Sequence, residues 1–345
     1  VKGQKGYPDP QLTQDFQNID LLTLNALLNY EKTFGLQHHF KGLLGAEKIK
    51  GNTMSFEAFR KFFVSTALEE LFAGGDAEKN NSGSSSMTGK LNYFGRFNYD
   101  YSNKYLLEFV WRYDGSYKFP KSGRFGFFPG VSLGWRISDE VFWKNITPVV
   151  NDLKFRASWG QTGNDRIDDY QYLASYGFAT GASNIYVFNG DNEQKILAES
   201  RIPNPNVTWE IANQSNVGLD AQFLGNKLSL TAEYYYNLRS NILWHRNASV
   251  PTSTGLTLPR ENIGEVENKG IELQVGYRNA IREFNYSVSA NVATNKNKIR
   301  FWDETPGIPV YQQSTGRPMN ADLYYRAIGV FRDQAAVDAY PHWAG

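Results

Sequence analysis

The 345-residue chain contains no cysteine. That absence removes disulfide scaffolds, thiolate metal sites and cysteine nucleophiles together. No run approaches the roughly 18 consecutive apolar residues that a membrane-spanning helix requires, so any membrane crossing must be made by strands. Histidine is scarce, at four residues. His38 and His39 are consecutive, and consecutive strand positions point to opposite faces, so the two cannot share an ion. His245 and His342 have no acidic or histidine partner at ligand spacing. A net charge of +1 gives no electrostatic case for nucleic acid. Phosphate loop, dinucleotide fingerprint and nucleophile elbow are all missing. The sequence therefore predicts no catalytic residue, no metal and no cofactor. Residues Val1 to Pro10 lack the charged-then-apolar plan of a signal peptide. An exported protein with this start is expected to have been processed or to begin partway through a longer chain.

What the chain does have is aromatic residues, 15% of the total with 21 Tyr and 23 Phe. This abundance stands beside a negative average hydropathy. The mixture fits a wall with an apolar outside, aromatic girdles where that band meets water, and a polar inside. Period-2 alternation recurs along the chain. Leu228, Leu230, Ala232, Tyr234 and Tyr236 share one face, opposite Ser229, Thr231, Glu233 and Tyr235. Ile271, Leu273, Val275 and Tyr277 oppose Glu272, Gln274, Gly276 and Arg278. Phe284, Tyr286, Val288, Ala290 and Val292 oppose Asn285, Ser287, Ser289 and Asn291. The same split marks Leu91 to Tyr101, Tyr105 to Tyr113, Leu153 to Trp159 and Val217 to Phe223. Weaker segments lie at Leu21 to Glu31, His38 to Glu47 and Phe125 to Ile137. The sum is about ten strands, most close to the roughly 9 to 11 residues of a tilted membrane strand.

Connections alternate between short and long. Short links fall at Lys32 to Leu36, Ser102–Asn103, Gly225–Asn226 and Ala280 to Glu283. Long ones fall at Gly51 to Thr88, Gln161 to Asn213, Asn237 to Asn268 and from Asn295 onward. Ser138 to Asn151 is longer than its turn requires, and Asp114 to Arg124 is shorter than its neighbours on the long side. An antiparallel up-and-down barrel keeps this parity, whereas a sandwich or propeller has no reason to. Within the first long link, Phe56, Phe59, Phe62, Phe63, Ala67 and Leu71 fall near helical spacing before Gly74 and Gly75, which predicts a short helix at the barrel mouth. The serine-rich stretch Asp76 to Ser86 reads as a loop tip.

Five stretches carry a family resemblance: RYDGSYKFPKSGRFGFFPGVSLGWRISDE (Arg112 to Glu140), LKFRASWGQTGN (Leu153 to Asn164), NPNVTWE (Asn204 to Glu210), NVGLD (Asn216 to Asp220) and NIGEVENKGIEL (Asn262 to Leu273). In this order and spacing they resemble the SusC/RagA family of TonB-linked outer-membrane transporters, from about Leu24 to the last residues. Physically the motifs read as barrel punctuation. Asp114 and Gly115 suit a turn, Pro129 sits where a strand spares a donor, and Gly134, Gly160 and Gly276 allow close approach.

The resemblance implies an all-β, antiparallel up-and-down transmembrane barrel of 22 strands in the bacterial outer membrane. Residues 1–345 would form a partial barrel domain of about ten of those strands. It further implies an N-terminal plug and TonB box, neither visible here, and a SusD-like surface lipoprotein as lid. Expected partners are that lipoprotein, TonB acting through the plug, outer-membrane lipid and an oligosaccharide or peptide substrate. The rival readings are a passive porin and a soluble glycan-binding β-protein.

The candidate ligand residues are Trp244, His245, Trp302, Asp303, Tyr324 and Tyr325, placed by the strand pattern in long loops. Aromatic faces beside hydrogen-bonding groups suit sugars or peptides, whose apolar patches stack while their polar edges are read. Asp165, Asp168 and Asp169 form an acidic loop cluster for which a solvated loop is the expected role.

Overall fold

The computed structural model describes residues 9–65, 67–178, 185–188, 192–195, 197–246 and 259–340. Alternating apolar and polar residues build ten long strands of one antiparallel sheet. They are β1 (Gln11–Phe34), β2 (His38–Lys61), β3 (Asn80–Tyr101), β4 (Tyr105–Ser116), β5 (Phe125–Arg136), β6 (Val150–Asn164), β11 (Glu210–Phe223), β12 (Leu228–His245), β13 (Arg260–Ile281) and β14 (Phe284–Phe301). Between β6 and β11 lie four short strands: β7 (Ser175–Phe178), β8 (Ile185–Phe188), β9 (Asn192–Lys195) and β10 (Leu197–Arg201). They form two ribbons, β7 with β10 and β8 with β9. Among the described residues, one short α-helix, α1 (Gln334–Asp338), follows the sheet, and Asp333 caps it by accepting from the Ala336 amide.

The ten strands run as a meander, each bonded to its neighbour in sequence, with β1 and β14 at the two open edges. One rim carries the tight turns. At one of these, Ser102 and Asn103 both hold positive φ, 51° and 56°, and the Asp100 carboxylate accepts from the Asn103 amide. Asn and Ser tolerate this left-handed backbone better than branched residues do. The opposite rim carries the long connections, and the parity expected from sequence holds except at the two places the sequence marks: the β5–β6 link, 137–149, on the tight-turn rim is longer than the β4–β5 link, 117–124, on the other.

Lateral pairing separates the two faces. The chain of partners Phe34, His38, Tyr101, Tyr105, Trp135, Phe155, Leu219, Ala232, Leu273 and Val292 lies on one face. It starts beside the β1–β2 turn and ends eight residues from Phe284, where the β13–β14 turn begins. This drift is the stagger of tilted strands. The apolar face is solvent-exposed: Ile271 is 57%, Val288 67% and Val292 63% accessible. Such exposure suits hydrocarbon, not water. Tyr101, Tyr105 and Trp135 stack in succession near the tight-turn rim, with ring centroids 6.4 and 6.5 Å apart. They form a segment of an aromatic girdle. The other face is polar, with Arg156 bonded to Asp220 and Glu233, Asn216 to Glu233, and Asn98 to Glu108.

Several sequence expectations are corrected. The predicted mouth helix is absent: Phe56 and Phe59 belong to β2, where Phe56 pairs with Phe16 and Phe59 with Thr13. Among the described residues of that link, only a 3-10 turn, Leu71–Ala73, occurs. The hairpin ladder with β1 satisfies those backbone groups over its whole length, and this continuous pairing overrides the local three-residue spacing. The serine-rich tip is mostly strand as well, Asn81 to Ser86 pairing with Thr53 to Ala58 and the Ser55 and Ser84 hydroxyls meeting at 2.8 Å. Asp114 and Gly115 lie inside β4 rather than in a turn, and the Asp114 carboxylate accepts both bonds of a fork from Arg112. Pro129 behaves as expected, since the β5–β6 ladder begins only at Gly130.

Past β14 the chain returns along that strand's free edge. The Gly316 amide donates to the Ile299 carbonyl, the Ile299 amide donates to the Arg317 carbonyl, both at 2.8 Å, and the Asn297 side chain accepts from the Met319 amide.

Candidate site at the long-loop rim

Three groups of residues organise the long-loop rim. The first is a cluster of buried apolar side chains: Phe119, Phe128, Val207 and Trp209, with Ile167, Tyr172, Ile211 and Leu243 packed against it. Trp209 lies 4.8 Å from the Phe119 ring and 5.3 Å from that of Phe128, and its indole N–H donates to the Arg124 carbonyl. Gly163 must lack a side chain here, because an added Cβ would fall 2.0 Å from the Phe128 ring. Asn262 and Thr208 exchange bonds, the Thr208 amide donating to the Asn262 side chain and that side chain donating back to the Thr208 carbonyl. The Asn204 side chain donates to the Arg260 carbonyl. The motif residues are thus loop anchors as well as strand punctuation, a role carried by long-range pairs and invisible to spacing.

The second group answers for the acidic loop cluster. Asp165 pairs with Lys90 at 2.6 Å and accepts from the Ser116 hydroxyl. Asp169 accepts from the Tyr117 hydroxyl and lies 3.6 Å from Lys118. Asp168 is exposed. Two of the three carboxylates therefore clamp the loop to the strand ends. Burial, then the Asp169 carboxylate, pushes the Tyr117 phenol far up. Burial would raise the Asp165 carboxyl, yet Lys90 and Ser116 outweigh it and hold it below its ordinary value of 3.8. A depressed folded-state value contributes stability above the unfolded value and loses it as pH falls through the folded one. Protection of the 165–172 segment from amide exchange is accordingly expected to fall off only below pH ~4, and Asp165→Asn should abolish that acid-dependent step.

The third group is a pocket. Trp244, next to last in β12, and Trp302, just past β14, bring their ring centroids to 4.0 Å. They line a cavity of about 530 Å³ with Ile299, Gln312, Arg317 and Leu323. The Trp244 indole N–H is shielded from solvent and has no acceptor among the described residues. Of the six residues named from sequence, these two are brought together. His245 instead accepts from the Arg260 guanidinium at 3.2 Å. Asp303 acts electrostatically on Arg246, whose guanidinium is held up first by its bond to Glu261. Tyr324 and Tyr325 stand in solvent, 80% and 105% accessible, with the Tyr324 hydroxyl donating to Asp322. Gln312 and Arg317 were not legible as site residues, since they reach the pocket only through the return of the chain along β14.

Among the described residues no group of three or more histidine, aspartate or glutamate side chains could hold a metal ion. His38 bonds the Tyr99 hydroxyl, while His39 bonds Asp100 and Glu31, in keeping with their opposite faces. His342 lies outside the described residues.

Comparison with known proteins agrees with this architecture. Residues 3–337 match the profile of the family described as TonB dependent receptor-like, beta-barrel. TonB-dependent receptor P3 of Formosa agariphila is 31% identical over 338 residues, covering 93% of this chain and 33% of the relative. TonB-dependent receptor SusC of Bacteroides thetaiotaomicron is 33% identical over 219 residues, covering 61% of this chain and 20% of the relative. Among solved structures, the RagAB peptide importer in its closed-closed state superposes with a TM-score of 0.75 at 23% identity. That match covers 89% of this chain and 33% of the other, and it shows a shared fold. The chain spans about a third of the length of the first of these relatives. The chain belongs to the TonB-dependent receptor-like β-barrel family and is an outer-membrane protein.

Proposed function

We propose that residues 1–345 form part of the barrel of a TonB-dependent transporter that imports an oligosaccharide beneath a SusD-like lipoprotein lid. In this reading the long loops wall a vestibule over the barrel. A plug, pulled by TonB, then opens the route to the periplasm. The observation that carries the substrate reading is the Trp244–Trp302 pair over its cavity at the long-loop rim. Two aromatic faces beside neutral amides and hydroxyls such as Gln312, Gln313 and Ser314 suit sugar rings, which stack through C–H faces and hydrogen-bond through their edges. A peptide is the second reading, favoured by the likeness to an importer described as taking peptides. No catalytic step is assigned to any residue.

Trp244→Ala and Trp302→Ala in the full-length protein are each expected to weaken ligand affinity by about tenfold or more, as loss of a central aromatic contact does. Lid association, measured separately, should hold. Unchanged affinity in both variants, with the barrel folded, would reject these residues as the binding surface. Peptide binding in place of oligosaccharide binding would reverse the substrate preference.

A further inference from the structure

We propose that the outward face of β13 and β14, just above the apolar band, is a binding site for the phosphate groups of outer-leaflet glycolipid. On β14 the outward residues read Tyr286, Val288, Ala290 and Val292, then Thr294, Lys296, Lys298 and Arg300. A single threonine separates the apolar run from the basic one. On β13 the outward run Tyr277, Val275, Leu273 and Ile271 gives way to Lys269. This end of the strands leads to the long-loop rim, the extracellular side of an outer-membrane barrel.

The charges are not balanced by the protein. Lys269 and Lys296 are direct cross-strand partners, an arrangement that repels unless an anion sits between them. Glu267 lies on the same face, but Arg300 bonds it at 2.6 Å and the Tyr236 hydroxyl also donates to it, leaving Lys269 at 3.9 Å. Among the described residues, neither Lys296 nor Lys298 has an ion-pair partner, and both are exposed. Glu265 is the other carboxylate of this face and stands level with Phe301 at its top. Three lysines and an arginine therefore face outward around one occupied carboxylate, at the height where hydrocarbon ends and headgroups begin. Ammonium groups on flexible stems reach into that layer, and a phosphate monoester offers the missing counter-charge.

The experiment uses the full-length transporter in detergent and counts bound lipid per barrel by native mass spectrometry. The probes are a bis-phosphorylated acyl-glucosamine lipid, the same lipid without phosphates, and inorganic phosphate. Lys296→Gln with Lys298→Gln is expected to weaken binding of the phosphorylated lipid about thirtyfold, and either change alone about fivefold. Lys121→Gln, which removes an exposed loop charge, should change nothing. Without lipid the double variant should be at least as heat-stable as the parent, because a repulsion is relieved. If the double variant does not fold, Lys296→Gln alone carries the test. Equal binding of the dephosphorylated lipid, or an unchanged affinity in the variants, would overturn the proposal. So would inorganic phosphate binding as tightly as the lipid, which would make this a small-anion site.

Discussion

Trp209→Ala is expected to release the loops at the long-loop rim while leaving the barrel strands paired. The indole is 6% accessible and fills the centre of a cluster built from four separate segments of the chain. Truncating a buried tryptophan costs about 3–5 kcal/mol through lost transfer energy and the cavity left behind. The ten-stranded ladder draws its backbone bonds from elsewhere, so the loss should appear locally, as opening of the 117–124 and 202–209 segments. Limited proteolysis of the folded, lipid-embedded protein measures it. New cleavage in those segments with unchanged β-sheet content is the expected result, and Trp209→Phe should recover most of the protection. Because Leu243 packs on the same cluster beside Trp244, ligand binding should weaken too. Loops as protease-resistant as the parent's would show that the cluster does not hold them.

Val288→Arg and Ser289→Arg should differ sharply, although the two residues are neighbours on β14. Val288 points to the apolar face and is 67% accessible. Ser289 points to the polar face, opposite Gly276. An arginine facing lipid near the bilayer centre costs about 2–4 kcal/mol, whereas a lumen position absorbs it with little loss. Unfolding of the full-length barrel from lipid vesicles by denaturant gives both numbers. Equal costs would mean that neither face meets hydrocarbon and that the sheet belongs to a water-soluble protein. A larger cost at Ser289 would reverse the face assignment.

The contrast between those two residues also explains what could be read from sequence. All ten main strands were legible wherever one face meets lipid and the other water, as in Leu228 to Tyr236 or Phe284 to Val292. Their upper halves were not. Asn80 to Ser86, Asn237 to His245 and Arg260 to Asn268 are strand, but both faces there meet polar surroundings, so alternation carries no signal and the segments read as loop. Phe56 and Phe59 misled for the converse reason, since aromatic residues three apart fit a helix locally while the pairing that decides their state lies forty residues away in β1. At the site, Trp244 and Trp302 stood out by residue type. Their meeting at 4.0 Å depends on the register between β12, β13 and β14, which no local pattern encodes. Gln312, Arg317 and the anchoring role of Asn262 were hidden behind the same long-range geometry.

The returning segment at Ile299 has a consequence for assembly. Both backbone groups that Ile299 turns to the free edge are already taken by Gly316 and Arg317. A strand laid against β14 can therefore extend its ladder upward only as far as Asn297 before it must displace that segment or veer away. Gly316 to Met319 act as a doorstop on the edge, setting the height at which two neighbouring walls part company. β1 carries no such stop among the described residues, and its edge is free along all 24 residues. The two margins of the sheet are thus unequal: one accepts a partner along its full length, and the other dictates where that partner must let go.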